Sequence, residues 1–329
     1  MTDHPLQTRR AERPAGAHTV VGGPVLTDDP DLGLVYESGL VVAARSQWAY
    51  ARKRFVRHRL AMGSLVILAV VLLAGAFASY VAPYRFDGLD LASAGKGPTF
   101  AHWHIFGTDL LGRDYFSRVL YGIKTTEKVA FIVALLSVAI GTTIGALAGY
   151  YGRWVDNVLM RFTDLFLTLP GLAVLLTVAA FLGHSSPIRV AFILALLFWT
   201  VLARIVRAQF LSLREKEYVE AAKASGSGDV RIMFRHMLPN ALGPIIVNAT
   251  LTVGAAILTE AFLSFLGFGI QPPTPALGKL ISDGQDVSQH MWWLVTFPGL
   301  TIVLIVLCIN FVGDGLRDAL DPTQRKVRA

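Results

Sequence analysis

The chain has 329 residues, 53% of them hydrophobic and only 16% charged, with 30 Lys and Arg against 23 Asp and Glu and a formal net charge of +7. So few charges cannot clothe a soluble globule, so composition alone reads as a polytopic membrane protein. The basic residues gather beside the ends of apolar runs, which is a topology signal and argues against a nucleic-acid partner, and the single cysteine, Cys308, excludes an intramolecular disulfide.

In chain order, residues 1–45 mix Pro, Gly, Asp and Arg without periodicity and read as a disordered cytoplasmic tail, with no secretory signal peptide. From Arg45 to Arg59, Trp48, Tyr50 and Phe55 interleave with Arg52, Lys53, Arg54 and Arg57. This segment, the end of a tail covering 1–59, suits a helix lying on an anionic lipid surface, and it suits equally a simple positive flank to the first span.

Six apolar runs come next: Leu60–Val81, Lys128–Tyr150, Phe162–Gly183, Ile188–Ala203, Leu242–Gly267 and Trp293–Val312. At 1.5 Å per residue most can cross a hydrocarbon core of about 30 Å, and the fourth needs flanking residues to do so. Pro170 predicts a kink in the third. The expected organisation is a first transmembrane helix over 60–83, an extracytoplasmic loop over 84–127, a five-helix core over 128–316 and a cytoplasmic tail over 317–329. Most of the 30 Lys and Arg fall inside when both termini are cytoplasmic, which sets the orientation of a multi-pass membrane protein.

The long outer loop holds His104-Ile105-Phe106-Gly107-Thr108-Asp109-Leu110-Leu111-Gly112-Arg113-Asp114, then Ser117-Arg118 and Tyr121-Gly122. Asp109–Arg113 and Asp114–Arg118 are both spaced i,i+4, so the segment reads as a short helix braced by charge, scaffolding the outer face. His102 and His104 make at most a weak metal pair, lacking a third ligand nearby. The string resembles the H-x-L-G-T-D-x-x-G-R-D-x-x-S-R motif of the C-type permease subunit in dipeptide and oligopeptide ABC importers, with Phe106 in place of leucine.

Between the fourth and fifth runs lies the polar stretch Glu215–Pro239. Its order is helix, stop, helix. Glu217–Ser225 is rich in helix formers, Gly226 and Gly228 offer positive φ, Ser227 or Asp229 can cap the second helix, and Pro239 closes it. Glu220-Ala221-Ala222, then Gly226, then His236-x-Leu238-Pro239-Asn240 resembles the "EAA" loop of binding-protein-dependent ABC importer permeases, in the form common to the peptide and nickel branch. The resemblance implies a coupling helix formed by Glu220, Ala221, Ala222, Gly226, His236, Leu238 and Pro239, seated in a groove of a separate ATPase. An ordinary basic loop is the plainer alternative.

In the fifth run Asn248, Thr252, Ala256 and Glu260 recur at i+4, with Thr259 beside them. Glu260 facing lipid would cost about 2.5–3.5 kcal/mol at the bilayer centre, so it must face protein or water. Two readings stand: this flank lines the transport path, or it bonds to a partner permease. Asp164 reads as an anchor at the inner end of its span. After Gly267, the prolines and glycines of Phe268–Trp292 forbid a regular helix and suggest irregular backbone dipping into a cavity mouth. The strings Leu263–Gly269 and Gly313–Pro322 also resemble the peptide-importer branch.

No Gly-x-x-x-x-Gly-Lys-Ser/Thr, Gly-x-Ser-x-Gly or His-Glu-x-x-His occurs, so no catalytic residue, bound cofactor or metal site is expected in this chain. The resemblance implies an all-α protein of a bacterial inner or plasma membrane, of the type I ABC importer permease class, with six transmembrane helices and a coupling-helix loop. It also implies its partners: a second homologous permease in a heterodimer, one or two ABC ATPase subunits carrying ATP and Mg, an extracytoplasmic peptide-binding protein and membrane lipid. The implied cargo is a short peptide. Nickel or another small ligand is the alternative within the class, and a stand-alone channel, secondary transporter or membrane enzyme lies outside it.

Overall fold

The computed structural model describes residues 47–182 and 186–320. The expected tail over 1–45 and the last part of the Gly313–Pro322 string therefore lie outside the described residues. The chain divides into two units between Tyr50 and Ala51, and every element from α2 onward belongs to the second.

Helix α1 (Gln47–Arg57) leads into α2 (Arg59–Ala76), whose first turn is capped by His58 Nδ1 accepting from the Ala61 N–H at 3.1 Å. The first span breaks at Phe77 and finishes as α3 (Ala78–Val81). Helix α4 (Tyr115–Tyr151) is followed by α5 (Arg153–Thr168), α6 (Gly171–Leu182) and α7 (Pro187–Arg214). Then come α8 (Glu217–Ala224), the single turn α9 (Asp229–Arg231), a π-helical stretch Ile232–Met237 and α10 (Leu238–Phe265). Helices α11 (Leu277–Gly284) and α12 (Trp293–Leu320) complete the order.

Among the described residues, five helical runs are long and apolar enough to cross a membrane: α2, α4, α7, the run Asp229–Phe265, and α12. The third predicted span is a bent pair, α5 and α6, meeting at 83°. Pro170 does more than kink it. The residue before a proline is driven out of the α region, and Leu169 sits at φ −71°, ψ 139°, so the helix stops and restarts. The fourth span gains the length it lacked by running on to Arg214. Outward faces are apolar, with Val70, Phe131, Leu135, Phe192 and Leu300 all exposed, as suits lipid or protein contact within a membrane.

The closest pairing is α4 on α7. Gly141, Gly145 and Gly149 line one face of α4, and a β-carbon on each would meet Trp199 O, Val206 Cβ or Phe210 Cβ at 2.6–2.8 Å. Small residues at this spacing let two membrane helices approach backbone to backbone. Three buried clusters surround that contact. One joins α4, α10, α11 and α12 through Val119, Ile257, Leu280 and Ile305; one joins α4, α6 and α7 through Val133, Leu175 and Leu194; the third holds Phe210, Val219, Ile232, Met233 and Met237.

The expectation of no regular helix within Phe268–Trp292 is overturned by α11. The prolines are confined to 272–275, upstream of its first residue, and cannot break a helix that begins after them. The backbone before it folds back onto α10, with the Ile270 N–H donating to Ser264 Oγ at 3.1 Å and Ile270 fully buried.

Candidate functional site

Helix α8 forms because its ends are right for a two-turn helix. Glu217 and Glu220 occupy the first turn and Lys223 the last, each favourable to the helix dipole. The stop is a Schellman arrangement: the Gly226 N–H donates to Lys223 O at 3.0 Å and the Ser227 N–H to Ala222 O at 3.1 Å. That geometry needs a left-handed residue, and Gly226 takes φ +77°. Gly228 does not: it has φ −67°, and the turn after it begins without a side-chain cap from Ser227 or Asp229. Those two expectations are corrected.

The helix has two faces. Val219 and Ala222 are buried against the cluster of Phe210, Ile232, Met233 and Met237. Glu217, Tyr218, Glu220, Ala221, Lys223 and Ala224 are exposed, and Val230 and Phe234 lie exposed on the segment after it. Within the expected coupling helix, Ala222 therefore belongs to the face that seats it on its own chain, since positions three apart, 219 and 222, share one side. The small outward surface is Ala221 and Ala224.

Pro239 does not close the second helix. Ile232–Met237 is π-helical, with the Leu238 N–H reaching back to Met233 O, and Pro239 sits in the first turn of α10, where a missing N–H is tolerated. Asn240 Nδ2 donates to His236 O at 2.7 Å and lies 3.3 Å from Tyr218 Oη, linking the start of α10 to α8. His236 and Leu238 are half-buried, and Pro239 is exposed.

Sequence reasoning missed the residues that join this loop to the spans. Tyr150 Oη, at the end of α4, donates to Asp229 Oδ1 at 2.7 Å, and the Lys223 ammonium lies 5.6 Å from the centre of the Tyr150 ring. Tyr150, Lys223 and Asp229 also border an open cavity of about 600 Å³, together with Arg153, Asp156, Arg207 and Arg214. Arg207 binds Asp156 through both Nε and Nη2, and Arg204 Nη2 binds Asp164 at 2.6 Å, so Asp164 is braced by α7. Nothing in linear order links Tyr150 to Asp229. The only hint was a polar ring at the end of a glycine-lined helix.

The polar flank of α10 turns inward. Thr252, Ala256 and Glu260 are buried, and Asn248 is half-buried with an Oδ1 that has no partner among the described residues. Thr259 donates to Ala255 O of its own helix at 2.8 Å. Glu260 is fully enclosed: Oε2 accepts from Thr126 Oγ1 of α4 at 3.1 Å and Oε1 from Ser264 Oγ at 2.7 Å. Its carboxyl is engaged by this chain itself, an arrangement neither reading of the flank had included.

The string from His104 to Asp114 is not helical. Gly107 and Gly112 take φ +75° and +73° in tight turns, and helix begins only at Tyr115. Asp109–Arg113 pairs as expected at 2.6 Å, but Asp114–Arg118 does not. Asp114 is the N-cap of α4 and sits in extended backbone, so its side chain accepts instead from the Ser117 N–H at 2.8 Å, from Ser117 Oγ at 2.7 Å, and lies 2.9 Å from His104 Nδ1. Arg118 turns to Asp109 at 2.5 Å. Thr108 Oγ1 donates to Ser93 O, and Trp293 Nε1 donates to Thr108 O at 3.1 Å. Tyr115 Oη, near both Leu280 O and Leu294 O, ties the same end to α11 and α12. His104 is thereby held by a carboxylate and by stacking on Tyr84.

Comparison with known proteins adds the family. Residues 141–326 match the model of the binding-protein-dependent transport system inner membrane component, and residues 46–98 match the N-terminal transmembrane domain of oligopeptide transport permease C. The dipeptide transport system permease protein DppC of Alkalihalophilus pseudofirmus is 41% identical over 86% of this chain and 92% of its own. The oligopeptide transport system permease protein OppC of Mycobacterium tuberculosis is 39% identical over 84% of this chain and 94% of its own. Among solved structures, the MetNI methionine ABC transporter in an inward-facing conformation aligns with 62% of this chain at 20% identity and a TM-score of 0.48.

Proposed function

This chain belongs to the binding-protein-dependent transport system inner membrane components and is a multi-pass permease subunit of an ABC importer; on that premise we propose that its cargo is a short peptide and that the α8 loop is where ATPase motion enters. The relatives' names, dipeptide and oligopeptide permease, support the cargo. The observation that carries the coupling role is the build of α8. It presents Glu217, Glu220, Ala221 and Ala224 outward, while Val219 and Ala222 plug it onto α7 and the Asp229–Phe265 run. A partner gripping the outward face would therefore move two spans at once, and Tyr150–Asp229 would carry the motion to α4.

In this reading the assembly holds a second, homologous permease, one or two ATPases that bind ATP and Mg, and an extracytoplasmic binding protein that hands over the peptide. The termini and α8 are cytoplasmic, and the loops with Asp109 and α11 face outward. This chain binds no nucleotide. It supplies the path and the lever. The polar residues Asn248, Thr252 and Thr259 are the part of α10 proposed to border the path or the partner permease, and Glu260 positions α10 against α4.

Two measurements test this. Membrane-impermeant thiol labelling of sealed cells should modify a cysteine at Asp283 and spare one at Lys223. Labelling at Lys223 sinks the orientation. Co-purification of the intact complex with its binding protein, then identification of the bound ligand, should give short peptides; nickel or another small solute as the only ligand would replace the cargo.

A further inference from the structure

Asp109 faces more positive charge than it can satisfy. Its Oδ1 accepts the backbone N–H groups of Leu111 and Arg113, each at 2.9 Å, and its Oδ2 accepts Arg113 Nε at 2.6 Å and Arg118 Nη1 at 2.5 Å. Four donors fill a carboxylate. One negative charge thus serves two guanidinium groups, and Arg118, 7% exposed, keeps a buried Nε with no hydrogen-bond partner among the described residues. A buried polar group without a partner calls for an explanation, and a bound solvent molecule or ion is among them.

Arg118 and Arg113 both line a cavity of about 80 Å³, lined also by Pro272, Pro273 and Pro275. Lys279 lines it too, paired with Asp283 at 2.9 Å, and Asp87, a carboxylate in the wall, is held by Arg85 at 3.1 Å. The surplus cation in the wall is therefore the one that Asp109 leaves uncompensated.

We propose that this cavity binds a single carboxylate group, with Arg118 as its anchor and Arg113 and Lys279 as flanking cations. The flat fork of a guanidinium matches a carboxylate in two parallel hydrogen bonds. The volume sets the size: a water needs roughly 10–15 Å³ on this measure, so the space takes a carboxylate and its first carbons and not a peptide of several residues. The site rests on the orientation proposed above, which turns this end toward the side from which cargo and binding protein arrive. A carboxylate has two sources there, the C-terminus of a peptide or an acidic side chain of the binding protein.

The test uses the whole transport complex in lipid nanodiscs, first without binding protein. Its thermal midpoint is measured in sodium acetate against sodium chloride at equal ionic strength, then in glycylglycine against glycylglycinamide. Affinity for the binding protein is measured separately. Arg118→Gln removes the anchor. Lys279→Gln, a side chain 23% exposed, removes a flanking charge without touching the Asp109 network and covers the case in which the first variant fails to fold. Acetate should raise the wild-type midpoint, and the concentration needed should rise roughly tenfold in Arg118→Gln and severalfold in Lys279→Gln, as expected for loss of a charge-assisted hydrogen bond. If glycylglycine acts below acetate and its amide does not act, the source is a peptide terminus. If acetate instead competes with the binding protein and both variants loosen that protein, the source is its acidic side chain. Acetate and chloride acting alike, with binding-protein affinity unchanged in Lys279→Gln, overturns the proposal and leaves a cavity filled by water. No arm reads uptake, so the result stands apart from the cargo reading.

Discussion

Thr108, Asp109 and Asp114 are buried at 0%, 6% and 2% exposure, and their hydrogen bonds end on the chain itself, at Ser93, Arg113, Arg118, Ser117 and His104. In the α8 loop, Glu220, Ala221 and Gly226 are exposed, and Val219 and Ala222 are the residues of the helix buried against the rest of the chain. Both segments are polar, both lie between spans, and both carry dense recognisable strings. One uses its polar groups to fix its own backbone. The other turns Glu217 and Glu220 outward and seats its helix by two apolar side chains, Val219 and Ala222. The first arrangement suits a scaffold, and the second, held from behind with its face open, is the one proposed above as a docking surface.

Substitutions should separate the two, in order of their cost to the chain's own stability. Asp109→Asn leaves Arg118 and Arg113 without a charge partner, and breaking a buried pair from one side costs about 3–5 kcal/mol. The solubilised chain should lose its folded end at a much lower temperature, read by thermal unfolding; an unchanged midpoint would mean the network braces nothing. Gly226→Val should cost about 1–2 kcal/mol, the penalty of a β-carbon in left-handed backbone. A β-carbon there would meet nothing within 4 Å, so the effect is conformational alone. Expression and insertion should stay near normal while ATPase co-purification and uptake are lost, and Gly226→Asn, which tolerates that backbone, should restore part of both. Normal uptake by Gly226→Val would remove the stop from the coupling account.

Tyr150→Phe should cost about 1 kcal/mol, one hydrogen bond. The ATPases should still dock, but transport per ATP hydrolysed should fall; an unchanged ratio would cut α4 out of the lever. Glu220→Lys reverses a charge on an open surface and should change stability by no more than about 0.5 kcal/mol. Its whole effect should appear as weaker ATPase co-purification, and full retention of the ATPases would exclude that charge from the contact.

The span pattern, the helix–stop–helix order and the left-handed Gly226 were legible because each depends on local chemistry: apolar run length, helix formers, and a residue without a β-carbon. Features set by context or by distant contacts were not. Asp114–Arg118 has the spacing of a helical pair, but Asp114 lies outside the helix it caps, and i,i+4 spacing has meaning only inside one. Ala222 looked like its neighbour Ala221, and which of two adjacent alanines turns inward depends on where Phe210, Met233 and Met237 lie in space. Pro239 reads locally as a stop, yet the π-helical turn before it lets the chain run on into α10. The Gly141-Gly145-Gly149 row was readable at i+4 and should have marked the α4–α7 contact in advance.

The most direct test of α8 as a docking surface exploits those adjacent alanines. Cysteines are placed one at a time at Ala221 and Ala222, against a background whose single native cysteine, Cys308, is buried, and each is linked to a short thiol-reactive photocross-linker in the assembled complex. The account predicts strong cross-linking to an ATPase subunit from position 221 and little or none from position 222, which faces the protein's own core. Equal yields from both positions, or none from 221 in a complex that retains its ATPases, would contradict it.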